Sequence, residues 1–390
     1  MDQTTLGTKN LGGVPMSEQM TTVTATSSDV ESTTVPATAS GTEGTASAGR
    51  RPTSILYDLG ARGSLVMVLA ALVVIFTALK GSIFFSSANF EQILSAQAAT
   101  GILALAVTVA LIAGEIDLSV VGVMGAVGGI VAFYVNGGVN PVAASAIGVA
   151  IALAFGLLNG LVVTYGRLSS IIATLASGTI AIGVGLAIVG PNTISGLPGS
   201  FSNVFTTPWG GIQTPFFMFL GAVIVAAIVL QRTPRGRRLF FVGQSPQAAE
   251  LLGIRVRRLK MGSLLVSALL AGAAGLVVVG QSDGGNVTET ASYLLPAFAA
   301  AFLGTSAITP GRFNALGTFI ATIVLGTATV GLDEAGVPNW TSYVFDGGLL
   351  IISLGIFTVL KIRRERAAKA HSMQEAAVVA RRSEGEPAGA

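Results

Sequence analysis

Ten apolar windows, most of them close to 20 residues long and nearly free of charge, follow one another at 64–80, 92–113, 118–136, 141–164, 170–190, 214–231, 261–280, 294–304, 313–331 and 343–361. A helix needs about 20 such residues to cross a hydrocarbon core of about 30 Å. In lipid the backbone must satisfy its own donors and acceptors, which a helix does within itself. The windows therefore predict an all-α, polytopic membrane protein of about ten transmembrane helices. The eighth, 294–304, is too short to cross alone, and Pro296 and Gly304 frame either a crossing or a re-entrant segment.

Composition agrees: 51% of the 390 residues are apolar and 11% charged, with a mean hydropathy of +0.74. Soluble domains carry roughly 25% charge. The length holds ten spans with connections and tails, so no second folded domain is required. Residues 1–55, rich in Ser, Thr, Gly and Ala, read as a disordered tail, 56–362 as the transmembrane domain with a long connection at 232–260, and 363–390 as a basic tail. The first segment lacks the basic start and apolar stretch of a signal peptide, so the first span is expected to be retained.

Basic residues set the orientation, because Lys and Arg near span ends favour the cytoplasm. Arg50, Arg51 and Arg62 precede the first span, Arg167 follows the fourth, and eight Lys and Arg residues crowd 232–260. Lys361, Arg363, Arg364, Arg366 and Lys369 follow the last. Only an even number of crossings places both termini in the cytoplasm, and ten leaves Lys80 as the one outward basic residue. Asp283, Glu289, Asp333, Glu334, Trp209 and Trp340 then lie on the outer side, where the two long connections, 191–213 and 281–293, are either docking surfaces or plain loops. The net charge of +3 is small and the basic residues sit beside apolar runs, a topology signal and not that of a nucleic-acid partner.

The 50 glycines suit close helix packing in lipid. Ala144, Gly148, Ala152, Gly156 and Gly160 recur every four residues and lay a seam along one helix face. Gly125 with Gly129, and Ala271 with Gly275, repeat the device.

Few residues carry chemistry. There is no cysteine, and the single histidine, His371, lies in the charged tail without a partner, so no metal site or catalytic residue is assigned. Glu115 and Asp117 are the most suggestive charges, since a carboxylate at mid-bilayer costs about 2.5–3.5 kcal/mol. They fall between two windows, at an expected cytoplasmic turn where water or helix capping by Asp117 or Ser119 satisfies them; a proton-coupled carrier would instead hold such groups at mid-membrane. Gln97, Asn159, Thr174 and Ser177 either line a path for a hydroxylated solute or bond helix to helix. In the basic connection, Ser245-Pro246 is a helix start, Gln247 to Leu252 propagates it, and Gly253 stops it. Two turns of helix are marginal alone in water. Ala248, Ala249, Leu251 and Leu252 fit either a groove on a cytoplasmic partner or the chain's own bundle. No Gly-x-x-x-x-Gly-Lys-Ser/Thr, Gly-x-Ser-x-Gly or His-Glu-x-x-His pattern occurs, so energy for uphill transport must come from elsewhere.

Four stretches in order carry a resemblance: Gly114-Glu115-Ile116-Asp117-Leu118-Ser119; Leu158-Asn159-Gly160 leading to Ile172-Ala173-Thr174-Leu175; Gly236-Arg237 with Val242-Gly243, Ala248-Ala249 and Gly253-Ile254; and Leu295-Pro296-Ala297 through Leu303-Gly304 to Gly317-Thr318. Over residues 60–360 the chain resembles the permease subunits of bacterial ABC importers for monosaccharides, of the ribose, xylose and galactoside type. Val121, Ser169-Ser170 and Pro310-Gly311 depart from the usual pattern, which has Gly, prolines and Gly-Gly there. The resemblance implies a multi-pass protein of the bacterial cell membrane and a homodimer or pseudo-dimer of permeases. It also implies a cytoplasmic ATPase pair that holds ATP-Mg, no cofactor on this chain, and an extracytoplasmic sugar-binding protein. Gly243, Ser245, Ala248, Ala249, Glu250, Leu251, Leu252 and Gly253 become the region that couples to the ATPase. A single-chain secondary carrier is the alternative, and an enzyme ranks behind both.

Overall fold

The computed structural model describes residues 52–338 and 340–384. The N-terminal tail, read as disordered, falls almost wholly outside the described residues.

The helices are α1 (Pro52–Lys80), α2 (Ser87–Ala96), α3 (Ala98–Ile112), α4 (Val120–Asn136), α5 (Pro141–Thr164), α6 (Ser170–Val189), α7 (Gly199–Thr206), α8 (Thr214–Arg232), α9 (Pro234–Gln244), α10 (Pro246–Leu251), α11 (Val256–Gln281), α12 (Leu294–Leu303), α13 (Ala315–Glu334) and α14 (Trp340–Glu384). Among the described residues eight helices are long and apolar enough to cross a membrane, with α2 and α3 counted as one path. That path breaks at Gln97, whose N–H reaches the carbonyls of Ile93 and Ser95.

The two windows that fall short of the ten expected crossings are α4, of 17 residues, and α12, of 10. At 1.5 Å per residue these measure about 25 Å and about 15 Å. Ahead of α4 the chain is non-helical at residues 115–118, with Glu115 and Asp117 buried and Ile116 and Leu118 half-buried, which takes up part of the depth a longer helix would fill. Around α12, single 3-10 turns at Glu289–Tyr293 and Gly304–Ser306 extend the helical path at both ends. The last window continues as helix through most of the basic tail, since α14 has 45 residues.

The core is α3, α4 and α11. Every residue of α3 except Leu111 is buried, as is most of α4, although both are short on large side chains. Small residues make this density possible. The α5 seam faces inward along its whole length, with Gly156 against Ala268 and Gly160 against Met261. Where α4 crosses α11 the approach is closer still: a Cβ on Gly275 would lie 2.3 Å from the Met124 carbonyl.

Lys260 near the start of α11 meets Glu115 at the end of α3, and Gln281 at the other end of α11 meets Ser95. These pairs define two ends of the bundle. The 232–260 connection and Arg167 share the first end. At the second, Ile194–Ser195 (β1) pairs antiparallel with Gly284–Gly285 (β4), and Pro208–Trp209 (β2) with Ile212–Gln213 (β3). Asp283 Oδ1 accepts from the Leu197 N–H at 3.1 Å and from Ser202 Oγ at 2.7 Å. The two long connections thus form one cap.

Candidate functional site at the basic end

The 232–260 connection, read as a loop around one short helix, contains two. Thr233 caps α9 by accepting the Gly236 N–H at 3.2 Å, and Pro234 supplies the first turn. Ser245 occupies the N-cap position of α10 without a side-chain cap bond, with Pro246 next. The stop falls at Gly253, whose φ of +73° favours glycine.

The helix α10 has one fixed side and one free side. Ala249 is fully buried with Val242 and Val256. Ser245 and Ala248 are half-buried and Glu250 is exposed. Leu251 and Leu252 are 90% and 72% exposed. Burying one leucine is worth about 1.5–3 kcal/mol, so the pair is an unsatisfied apolar surface at a charged face.

The base on which this region rests is backbone. A Cβ at Gly243 would lie 2.0 Å from the Ile112 carbonyl oxygen, so the end of α9 sits directly on the turn that closes α3. Gly114, at φ +82°, turns the chain there. Glu115 then pairs with Lys260 at 2.6 Å.

Beyond it the chain runs into the interior. Asp117 and Ser119 are fully buried and Glu115 is 7% exposed, where a turn satisfied by water or by helix capping was expected; Ser119 does occupy the N-cap position of α4, but without a side-chain cap bond. The difference has a local cause: Lys260 on α11 pairs with Glu115, Ser119 bonds Asp117, and α5 and α6 supply partners for the main chain and the Ser119 hydroxyl around them. Ser170 Oγ accepts the Ile116 N–H at 3.3 Å and Thr174 Oγ1 accepts the Leu118 N–H at 2.9 Å. Asp117 Oδ1 accepts from Ser119 through its N–H at 3.0 Å and its hydroxyl at 2.5 Å. The Ser119 hydroxyl accepts in turn from Asn159 Nδ2 at 2.8 Å, and Asn159 Oδ1 accepts from the Ser177 hydroxyl. Among the described residues Asp117 Oδ2 makes no hydrogen bond of ordinary geometry, and the buried Ser267 hydroxyl on α11 lies beside this carboxylate.

Six of the polar residues singled out from sequence, Glu115, Asp117, Ser119, Asn159, Thr174 and Ser177, therefore meet in one place beside Gly243. Gln97 lies apart, at the α2–α3 break, against Gly326. Sequence reasoning missed Lys260 and Ser170. Lys260 was one basic residue among many, and Ser170 stands where the resemblance showed a departure. A cleft of about 590 Å³, lined in part by Glu115, Arg167, Glu250, Arg257 and Lys260, separates α10 from this cluster. The Arg257 guanidinium lies 5.8 Å from the centre of the Tyr165 ring.

Residues 89–354 match the family described as the permease component of the branched-chain amino acid transport system. The chain belongs to this permease family. The permease is 32% identical to the ribose import permease protein RbsC of Bacillus subtilis (strain 168) over 288 residues, covering 73% of this chain and 89% of that one. Its identity to the ribose import permease protein RbsC of Escherichia coli K12 is 28%, covering 70% and 86% of the two chains. With the autoinducer 2 import system permease protein LsrD of Escherichia coli SMS-3-5 it shares 29% over 65% of this chain and 78% of the relative. The resemblance to bacterial ABC import permeases holds at the level of family, and the permease is a multi-pass protein of the bacterial inner membrane. The matched region contains the whole cluster from Glu115 to Lys260.

Proposed function

We propose that this permease is the membrane subunit of an ATP-driven importer, without catalysis of its own, and forms the path of a small neutral solute of the monosaccharide class. The observation that carries the proposal is the pair Leu251 and Leu252, exposed on a short helix whose other side is anchored. An apolar knob of this kind suits a groove on a cytoplasmic ATPase, the subunit that holds ATP-Mg. Gly243, packed on the turn after Ile112, would pass a push on α10 into residues 115–119 and so to α4, α5 and α6.

In this reading the basic end and both termini face the cytoplasm. The cap at the other end receives an extracytoplasmic binding protein, and a second permease copy completes the path. The import of ribose and of autoinducer 2 by the relatives named above supports the solute class. Asn159, Thr174 and Ser177 serve to hold the 115–119 segment, and Gln97 is the member of that set left for solute contact.

Replacing Leu251 and Leu252 together by Asp tests the proposal. ATPase should cease to co-purify while the permease still inserts; unchanged association refutes it. A second reading, a proton-driven carrier, gains from the buried Asp117 carboxylate. Uptake into vesicles on a proton gradient with no ATPase present would establish it, and none is expected.

A further inference from the structure

At the end of the bundle away from α10 a cleft of about 520 Å³ opens between α2, the β2–β3 hairpin and the C-terminal end of α11. That volume is within the range of small-molecule sites, about 300–1,000 Å³. Its polar lining is Glu91, Gln92, Ser95, Gln213, Gln281 and Tyr293, together with Ser282, and it contains no Lys, Arg or His.

The lining is organised. Gln281 Nε2 donates to the Ser95 carbonyl at 2.9 Å and to Gln213 Oε1 at 3.4 Å, while the Gln213 N–H donates to Ser95 Oγ at 3.2 Å. These bonds fix the amides and leave the Gln281 carbonyl oxygen and the Gln213 amino group without a partner among the described residues. Gly211, at φ +90°, lays the hairpin backbone on the Glu91 carboxylate: a Cβ there would fall 2.3 Å from Oε1. Glu91 has no cationic partner among the described residues.

We propose that this cleft is an entry subsite for a neutral, polyhydroxylated solute. Amides and hydroxyls offer donors and acceptors side by side, as vicinal hydroxyl groups require. The Glu91 carboxylate accepts from two hydroxyls at once and, with no cation near, repels carboxylates and phosphates. The Tyr293 ring supplies an apolar wall for the C–H face of a sugar. Burial and the neighbouring Glu289 push the Tyr293 phenol above its ordinary pKa, so it stays a neutral donor at physiological pH. Val278, Ser282 and Tyr293 also line a second cavity of about 250 Å³, bounded by Gly125, Gly128 and Gly275. The subsite thus leads toward the α4–α11 crossing.

The inference rests on the importer reading for its solute class and adds the place where that solute first meets this chain. A way-station on a transport path must release what it binds, so the expected dissociation constant is about 1 mM.

The test is saturation-transfer NMR on the full-length permease in lipid nanodiscs, with D-ribose, D-xylose and D-galactose as probes and acetate and phosphate as anionic controls. Transfer to at least one sugar and to neither anion is expected, and Gln92→Leu and Gln281→Leu should each weaken it by about tenfold. Gln92 is exposed, so its variant decides the matter even if the Gln281 variant fails to fold. Transfer to no sugar, transfer to the anions, or transfer unchanged in Gln92→Leu overturns the proposal. The Leu251→Asp, Leu252→Asp permease separates the two conclusions. Sugar binding retained with the ATPase lost supports both; a permease that recruits ATPase but binds no sugar refutes the cleft alone.

Discussion

Adding one methyl group at Gly243 presses on the contact between the connection that carries α10 and the end of α3. The new Cβ would stand 2.0 Å from the Ile112 carbonyl oxygen and 3.2 Å from the Ala113 carbonyl carbon, both main-chain atoms that no rotamer change can move. Even the tightest real contacts of a Cβ are close to 3 Å, so the two backbones must separate by about 1 Å, and overpacking of that kind costs about 1–3 kcal/mol. The displaced element, α9, contributes Leu239 and Val242 to two small satellite clusters and nothing to the main core, so the permease should still fold. Leu251 and Leu252 are untouched, so ATPase should still bind. What should fall is solute moved per ATP hydrolysed, measured in proteoliposomes, because the end of α9 no longer presses on the turn ahead of Glu115. Gly183→Ala is the matched control: it lies in α6 with nothing within 4 Å of the added Cβ, and alanine there should be neutral or stabilising by up to about 1 kcal/mol. If Gly243→Ala transports as tightly coupled as the control, the Gly243 contact is not part of the relay.

Lys260→Met leaves the Glu115 carboxylate, 7% exposed in the native chain, unpaired at the edge of the cleft, which should cost about 1–3 kcal/mol in detergent unfolding. Adding Glu115→Gln should restore most of that loss, and failure of the double variant to recover would show that the pair is not what matters. Asn159→Leu removes the amide that links Ser119 to Ser177, while Ser119 still donates to Asp117 and Ser177 to the Thr174 carbonyl, and should cost about 1 kcal/mol in the same assay, against little effect for Thr179→Val, whose hydroxyl bonds only its own helix at an exposed position.

Hydropathy placed the long helices well, because lipid imposes the same apolar length wherever a chain crosses it. The 141–164 window is α5 itself, and 170–190 and 214–231 differ from α6 and α8 by one residue. It did less well where other forces act. Helix α9, rich in arginine, carries no apolar signal, although Thr233-Pro234 is a legible start. The break at Gln97 falls inside one apolar window, among the polar residues Gln92, Ser95 and Thr100 but with no proline to mark it. The cap joins Ile194 to Gly285, segments far apart in the chain, so its pairing depends on a fold already made. The burial of Asp117 was hidden for the same reason: its setting is furnished by α5, α6 and α11, while its neighbours in sequence suggest an ordinary turn. The order of the motifs brought the right residues to attention, and only the packed structure showed that they touch.

Two peptide N–H groups of the non-helical segment after α3, those of Ile116 and Leu118, are held by hydroxyls on α6, 54 and 56 residues further along the chain. Selection on that segment is thereby displaced: any residue but proline can donate at 116 or 118, whereas Ser170 and Thr174 must keep an oxygen. The record of what residues 115–118 require is therefore written in α6, and a library that randomised the motif alone would underestimate how tightly it is specified.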